Sequence, residues 1–110
     1  MSDWIEVCQT DEIDLEDLKT FRHRGRVYAI YNTKDGFFAT AGMCTHEAQS
    51  LDEGIVVGNV IECPLHQGRF NIKTGRALSA PVCVDLKTFP IKIEDDVIYL
   101  APKGFASSAP

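Results

Sequence analysis

The sequence predicts an all-β fold of short antiparallel strands, and three observations carry that expectation. Turn residues recur about every ten positions, with short runs rich in Val, Ile, Phe and Tyr between them. Two-residue loops such as Gly58-Asn59 sit between paired apolar runs, as a tight hairpin requires. No long stretch repeats at helical spacing, and the length of 110 residues suits one domain.

Each element follows in order. Trp4 to Cys8 alternates large and polar residues, and Lys19 to Arg24 and Arg26 to Asn32 flank Gly25. Lys34-Asp35-Gly36 turns the chain into Phe37 to Ala41, which completes a meander. Val56-Val57 and Val60-Ile61 form a hairpin that delivers the chain to Cys63. Arg69 to Ile72, a turn at Thr74-Gly75, Phe89 to Ile93, a turn at Glu94-Asp95-Asp96 and Val97 to Leu100 complete the strands. Pro90 lacks a backbone N–H and so belongs at a sheet edge. Thr10 to Leu18 is expected to give at most one helical turn, capped by Thr10 or Asp11.

Charge and targeting signals narrow the function classes. With 11 Lys and Arg against 16 Asp and Glu the net charge is -5, the wrong sign for neutralising nucleic acid or anionic lipid. No apolar run is long enough for a membrane span, and Met1-Ser2-Asp3-Trp4 lacks the order of a signal peptide, so a cytoplasmic protein is expected. In that reducing compartment four cysteines read as metal ligands or buried thiols before disulfides. Cys8 and Cys83 are expected to be buried free thiols. His23, between Arg22 and Arg24, reads as a surface residue, and the acidic run Asp11, Glu12, Asp14, Glu16, Asp17 as a solvated loop.

Two segments fit no strand pattern, Gly42 to Glu53 and Pro64 to Gly68, and each carries or adjoins one Cys and one His. Cys44-Thr45-His46 and Cys63-Pro64-Leu65-His66 make a C-x-H, sixteen intervening residues, then a C-x-x-H. Two thiolates and two imidazoles suit one tetrahedral zinc, as in a structural interaction module, or a two-iron cluster in which histidines replace two cysteines on one iron. Zinc sites usually draw a sulfur pair from one short knuckle, whereas here each loop mixes sulfur with nitrogen.

On these ligands, and on Glu62-Cys63-Pro64-Leu65-His66-Gln67-Gly68-Arg69-Phe70, Thr74-Gly75, Ala80-Pro81 and Thr88-Phe89-Pro90, the chain resembles the Rieske [2Fe-2S] ferredoxins of bacterial aromatic-ring dioxygenases of the naphthalene and biphenyl type. The resemblance implies a Rieske iron-sulfur fold: a base of sheets forming a barrel or sandwich from 1–41 and 82–101, a cluster-binding subdomain at about 42–81, and a loose tail at 102–110. It implies one [2Fe-2S] cluster, with Cys44 and Cys63 on the inner iron, His46 and His66 on the outer iron, and Pro81 in a third loop over it. Arg69 is expected to support the second loop through backbone carbonyls. Glu47 and Asn71 depart from the usual Gly and Asp. Leu65, and Ala48 or Gln49, stand where the high-potential members have extra cysteines, which implies the low-potential branch.

The implied role is electron transfer without catalysis by this chain. A flavin-dependent NAD(P)H ferredoxin reductase would supply the electron and a terminal Rieske non-haem iron oxygenase would receive it, with the carrier as a monomer. The small subunit of a nitrite reductase is the other reading of the same fold.

Overall fold

The computed structural model describes residues 4–45, 49–64, 68–79 and 84–102. Among the described residues eleven strands run in chain order: β1 Ile5–Gln9, β2 Asp17–His23, β3 Arg26–Thr33, β4 Gly36–Ala41, β5 Ile55–Val57, β6 Val60–Glu62, β7 Arg69–Asn71, β8 Ala77–Ser79, β9 Thr88–Phe89, β10 Ile91–Glu94 and β11 Val97–Leu100. They form three sheets, ordered β1-β11-β10, β2-β3-β4-β9 and β5-β6-β7-β8, and every pairing is antiparallel. The all-β expectation holds.

The middle sheet is a wall shared by two cores, and β3 shows why. Side chains of a strand alternate between faces. Tyr28 and Ile30 enter one core with Cys8, Ala39, Ile98 and Leu100, while Ala29 and Tyr31 enter the other with Leu51, Ile61, Phe70 and Leu86. That double burial explains the unbroken apolar run from Val27 to Tyr31. Aromatic packing fixes the first core: the Tyr28 ring stacks on Phe21 at 5.4 Å and meets Phe89 edge-on at 5.0 Å. Lys92 covers the Trp4 ring at 5.1 Å, which anchors the start of β1 on its sheet.

Four features differ from the sequence expectation. The run Phe89 to Ile93 is two strands, because Pro90 cannot donate to a ladder; β9 pairs with β4 and β10 with β11, so the chain changes sheets there. The single helical turn expected after β1 is present as the 3₁₀ turn Thr10–Glu12, but its cap is Gln9, whose N–H donates to Glu12 Oε2 at 2.9 Å, and β2 has already begun at Asp17. The strand β8 and a 3₁₀ turn at Leu51–Glu53 were not anticipated.

The acidic run is also less free than a solvated loop. Glu12 pairs with Lys19 at 3.1 Å, and Asp17 Oδ1 accepts from the Leu18 N–H. Glu16, at φ 60, accepts the Gly58 N–H at 2.8 Å and so clips the β5–β6 turn to the middle sheet. On the same side Asp35 accepts from Asn59 Nδ2 at 2.8 Å and from Lys73 Nζ at 3.1 Å. Asn59 and Lys73 hold the Asp35 carboxyl below its ordinary range, in that order of effect.

Candidate metal centre

Two loops leave the sheets on the same plan. In the first, Met43 bridges Ser50, and the Cys44 N–H donates to the Gln49 carbonyl at 2.8 Å. In the second, Glu62 pairs with Arg69, and the Cys63 N–H donates to the Gly68 carbonyl at 2.7 Å. Each loop therefore opens on a cysteine and closes on the carbonyl five residues later. The C-x-H and C-x-x-H motifs occupy loops of equal span, a symmetry that their unequal spacing conceals.

Both cysteines are buried, Cys44 at 6% and Cys63 at 1% exposure, and both belong to the core that contains Leu51, Val56, Ile61, Phe70, Ile72 and Leu86. Two sulfurs presented from paired loops into one apolar core fit a group with thiolate donors on its protein-facing side. Cys8 is buried in the other core, where desolvation and then Glu12 push its thiol upward; it is a neutral packing residue, as expected. His46, His66, Glu47, Ala48, Leu65, Pro81 and Cys83 lie outside the described residues. Among the described residues no three His, Cys, Asp or Glu side chains converge as a metal site, which leaves the two cysteines as the described part of the motif. His23 is half-buried at the end of β2.

Three bonds fix the segment that follows residues 80–83. Thr45 Oγ1 donates to the Val84 carbonyl at 2.6 Å, Asp85 Oδ1 accepts the Ala77 N–H at 2.9 Å, and the Leu86 N–H donates to the Gly75 carbonyl at 2.7 Å. Gly75 is required there: its φ is 78, and a Cβ would run into the Leu86 carbonyl. Neither Thr45 nor Asp85 was singled out in the sequence, since a bond between positions this far apart leaves no local pattern.

The approach to Cys44 is held from beneath. Thr40 Oγ1 donates to the Ala41 carbonyl at 2.7 Å, so the Tyr31 hydroxyl must be the donor in its 2.8 Å bond to Thr40 Oγ1. Burial pushes the Tyr31 phenol far above its ordinary range, so it stays neutral. Below the second loop Arg69 pairs through Nε with Glu62 Oε1 at 3.0 Å, a side-chain contact in place of the backbone carbonyls expected. Asn71 keeps the part an Asp would play: its Oδ1 accepts from the Lys73 and Thr74 N–H groups and forms the turn into Gly75.

The chain is similar over most of its length to known proteins. The chain is 44% identical over 91 residues to the ferredoxin component of the naphthalene 1,2-dioxygenase system of Pseudomonas aeruginosa, covering 83% of this chain and 88% of that one. It is 41% identical over 92 residues to the ferredoxin component of the naphthalene 1,2-dioxygenase/salicylate 5-hydroxylase systems of a Ralstonia species, covering 84% and 88%. A chain in the solved complex of reduced oxygenase and oxidized ferredoxin of carbazole 1,9a-dioxygenase superposes with a TM-score of 0.86 at 35% identity, covering 92% of this chain and 94% of that one. The Rieske [2Fe-2S] domain model matches residues 3–90, and with that match over the paired cysteine loops the chain belongs to the Rieske [2Fe-2S] family.

Proposed function

We propose that the chain is the electron carrier of an aromatic-ring dioxygenase system. It takes single electrons from a flavin-dependent NAD(P)H ferredoxin reductase and passes them to a terminal Rieske non-haem iron oxygenase. One [2Fe-2S] cluster is held by Cys44 and Cys63 on one iron and by His46 and His66 on the other, within a subdomain at about 42–81. The carrier acts as a monomer in the cytoplasm; among the described residues no helix is long and apolar enough to cross a membrane.

The observation that carries this reading is the pair of matched loops, each opening on a buried cysteine of the same core. The histidines follow Cys44 by two positions and Cys63 by three, inside those same spans. When bound, the cluster supplies one-electron chemistry at a potential raised by its neutral imidazole ligands. The chain keeps the two thiol ligands away from water and fixes both loop mouths by backbone hydrogen bonds.

The test is composition and reconstitution. Purified protein should contain two irons and two acid-labile sulfides per chain and give a Rieske paramagnetic resonance signal. His46→Ala and His66→Ala should each lose it. One zinc per chain without sulfide would replace this reading with a structural zinc module.

A further inference from the structure

The turn between β2 and β3 is built from Arg22, His23, Arg24, Gly25 and Arg26, with no acidic residue among them. Three of the eleven Lys and Arg of a chain with net charge -5 therefore stand within five consecutive positions. Arg22, Arg24 and Arg26 are all exposed. Among the described residues none of the three reaches a carboxylate; Lys34, Arg76 and Lys87 also reach none but stand apart along the chain, and Lys19, Arg69, Lys73 and Lys92 each pair with an acid. The arrangement makes no ion pair within the fold: three guanidinium groups share one tip, and like charges held together repel.

The tip is also placed with respect to the first cysteine loop. Arg24 at φ 52 and Gly25 at φ 80 make a two-residue turn that fixes the strand ends. Arg22 pairs with Val27, in step with Ala29 and Tyr31 on the face that packs with Cys44 and Cys63. The Val27 carbonyl accepts the Gly42 N–H at 2.8 Å, and Cys44 follows two residues on. Arg22 thus shares the face of the strand end that leads into the first loop, while Arg26, in step with Tyr28 and Ile30, stands on the opposite face of the same tip.

We propose that the Arg22–Arg24–Arg26 tip is a docking contact for an acidic rim on an electron-transfer partner protein, an inference that rests on the carrier reading above. Planar guanidinium groups bind carboxylates by paired hydrogen bonds, and charges at the edge of a transient interface act chiefly on the association rate. The contact is opposite in sign to the net charge of the chain, so it orients the carrier as well as attracting the partner.

The test uses the full chain with its cluster and the reductase and oxygenase components of a naphthalene dioxygenase system, mixed in a stopped-flow instrument at low and high ionic strength. Replacing all three arginines together (R22Q, R24Q and R26Q) should lower the second-order exchange rate with at least one partner by about tenfold at low salt. With that partner the variant should respond to salt less than the wild type, and its reduction potential should be unchanged. Replacing the same three by Lys should restore most of the rate. Equal rates and equal salt dependence with both partners, or a faster variant, would overturn the docking claim and leave the carrier reading standing. A wild-type protein that holds its cluster and exchanges electrons with neither partner would overturn both.

Discussion

Thr45 donates its hydroxyl proton to the Val84 carbonyl across 2.6 Å, so the residue between Cys44 and His46 is tied to the chain on the far side of residues 80–83. Removing the hydroxyl while keeping the side-chain shape, as in Thr45→Val, should cost about 1 kcal/mol of stability, an ordinary value for one hydrogen bond. The cluster proposed here should also bleach faster under a chelator. Thr45→Ser keeps the donor and should resemble the wild type in both thermal unfolding and bleaching. Identical bleaching of the Val and wild-type proteins would mean that the bond does not hold the loop.

The buried pair Tyr31 and Thr40 makes a second prediction. Tyr31→Phe removes the donor and should cost about 1 kcal/mol, whereas Thr40→Val strands the buried Tyr31 hydroxyl and the Ala41 carbonyl and should cost about 1–3 kcal/mol. The pH dependence has a definite sign. The folded phenol is held above the unfolded value of 10.0, so its contribution is complete below that pH and is lost as pH rises toward the folded value. Denaturant titrations should therefore show wild-type stability falling above pH 10.0 more steeply than that of Tyr31→Phe. Parallel slopes would refute the assignment.

These bonds mark where the sequence was and was not legible. The alternation that defines β3, the hairpin at Gly58-Asn59 and the two cysteine loops are local patterns, and a local pattern reads directly. Three-residue β8 contains Ala and Ser, poor strand formers, and exists because it pairs with β7 and because Asp85 accepts the Ala77 N–H. The break at Pro90 was readable as an edge, but the change of sheet depends on β4 and β11, far away in the sequence. Glu16 reads as one more solvated charge because its partner, the Gly58 N–H, stands 42 residues away in the sequence.

The reduction potential should fall toward the low end of the Rieske range, roughly -150 mV. The high-potential members withdraw charge from the cluster with an extra disulfide, and Leu65 with Ala48 or Gln49 occupies the positions where those cysteines would stand. Protein-film voltammetry measures this directly. A value well above zero would show that the cluster environment is set by something other than those positions.

The carrier alone, given an aromatic compound and oxygen, should turn nothing over. Oxygenation needs an iron with open coordination positions, commonly held by two histidines and a carboxylate. The chain has three histidines, of which the proposed function gives His46 and His66 to the cluster, and His23 sits at the end of β2 between arginines. One histidine cannot build that site. The described cores are closed by Tyr31, Phe70, Leu51 and Ile98, each buried to less than 2% exposure, and a domain this small would have to give up much of that packing to enclose an aromatic ring. Product should therefore appear only when reductase, oxygenase and this chain are combined, and should vanish with His66→Ala. Hydroxylation by this chain with a chemical reductant alone, or a full oxygenase rate in its absence, would refute the carrier assignment.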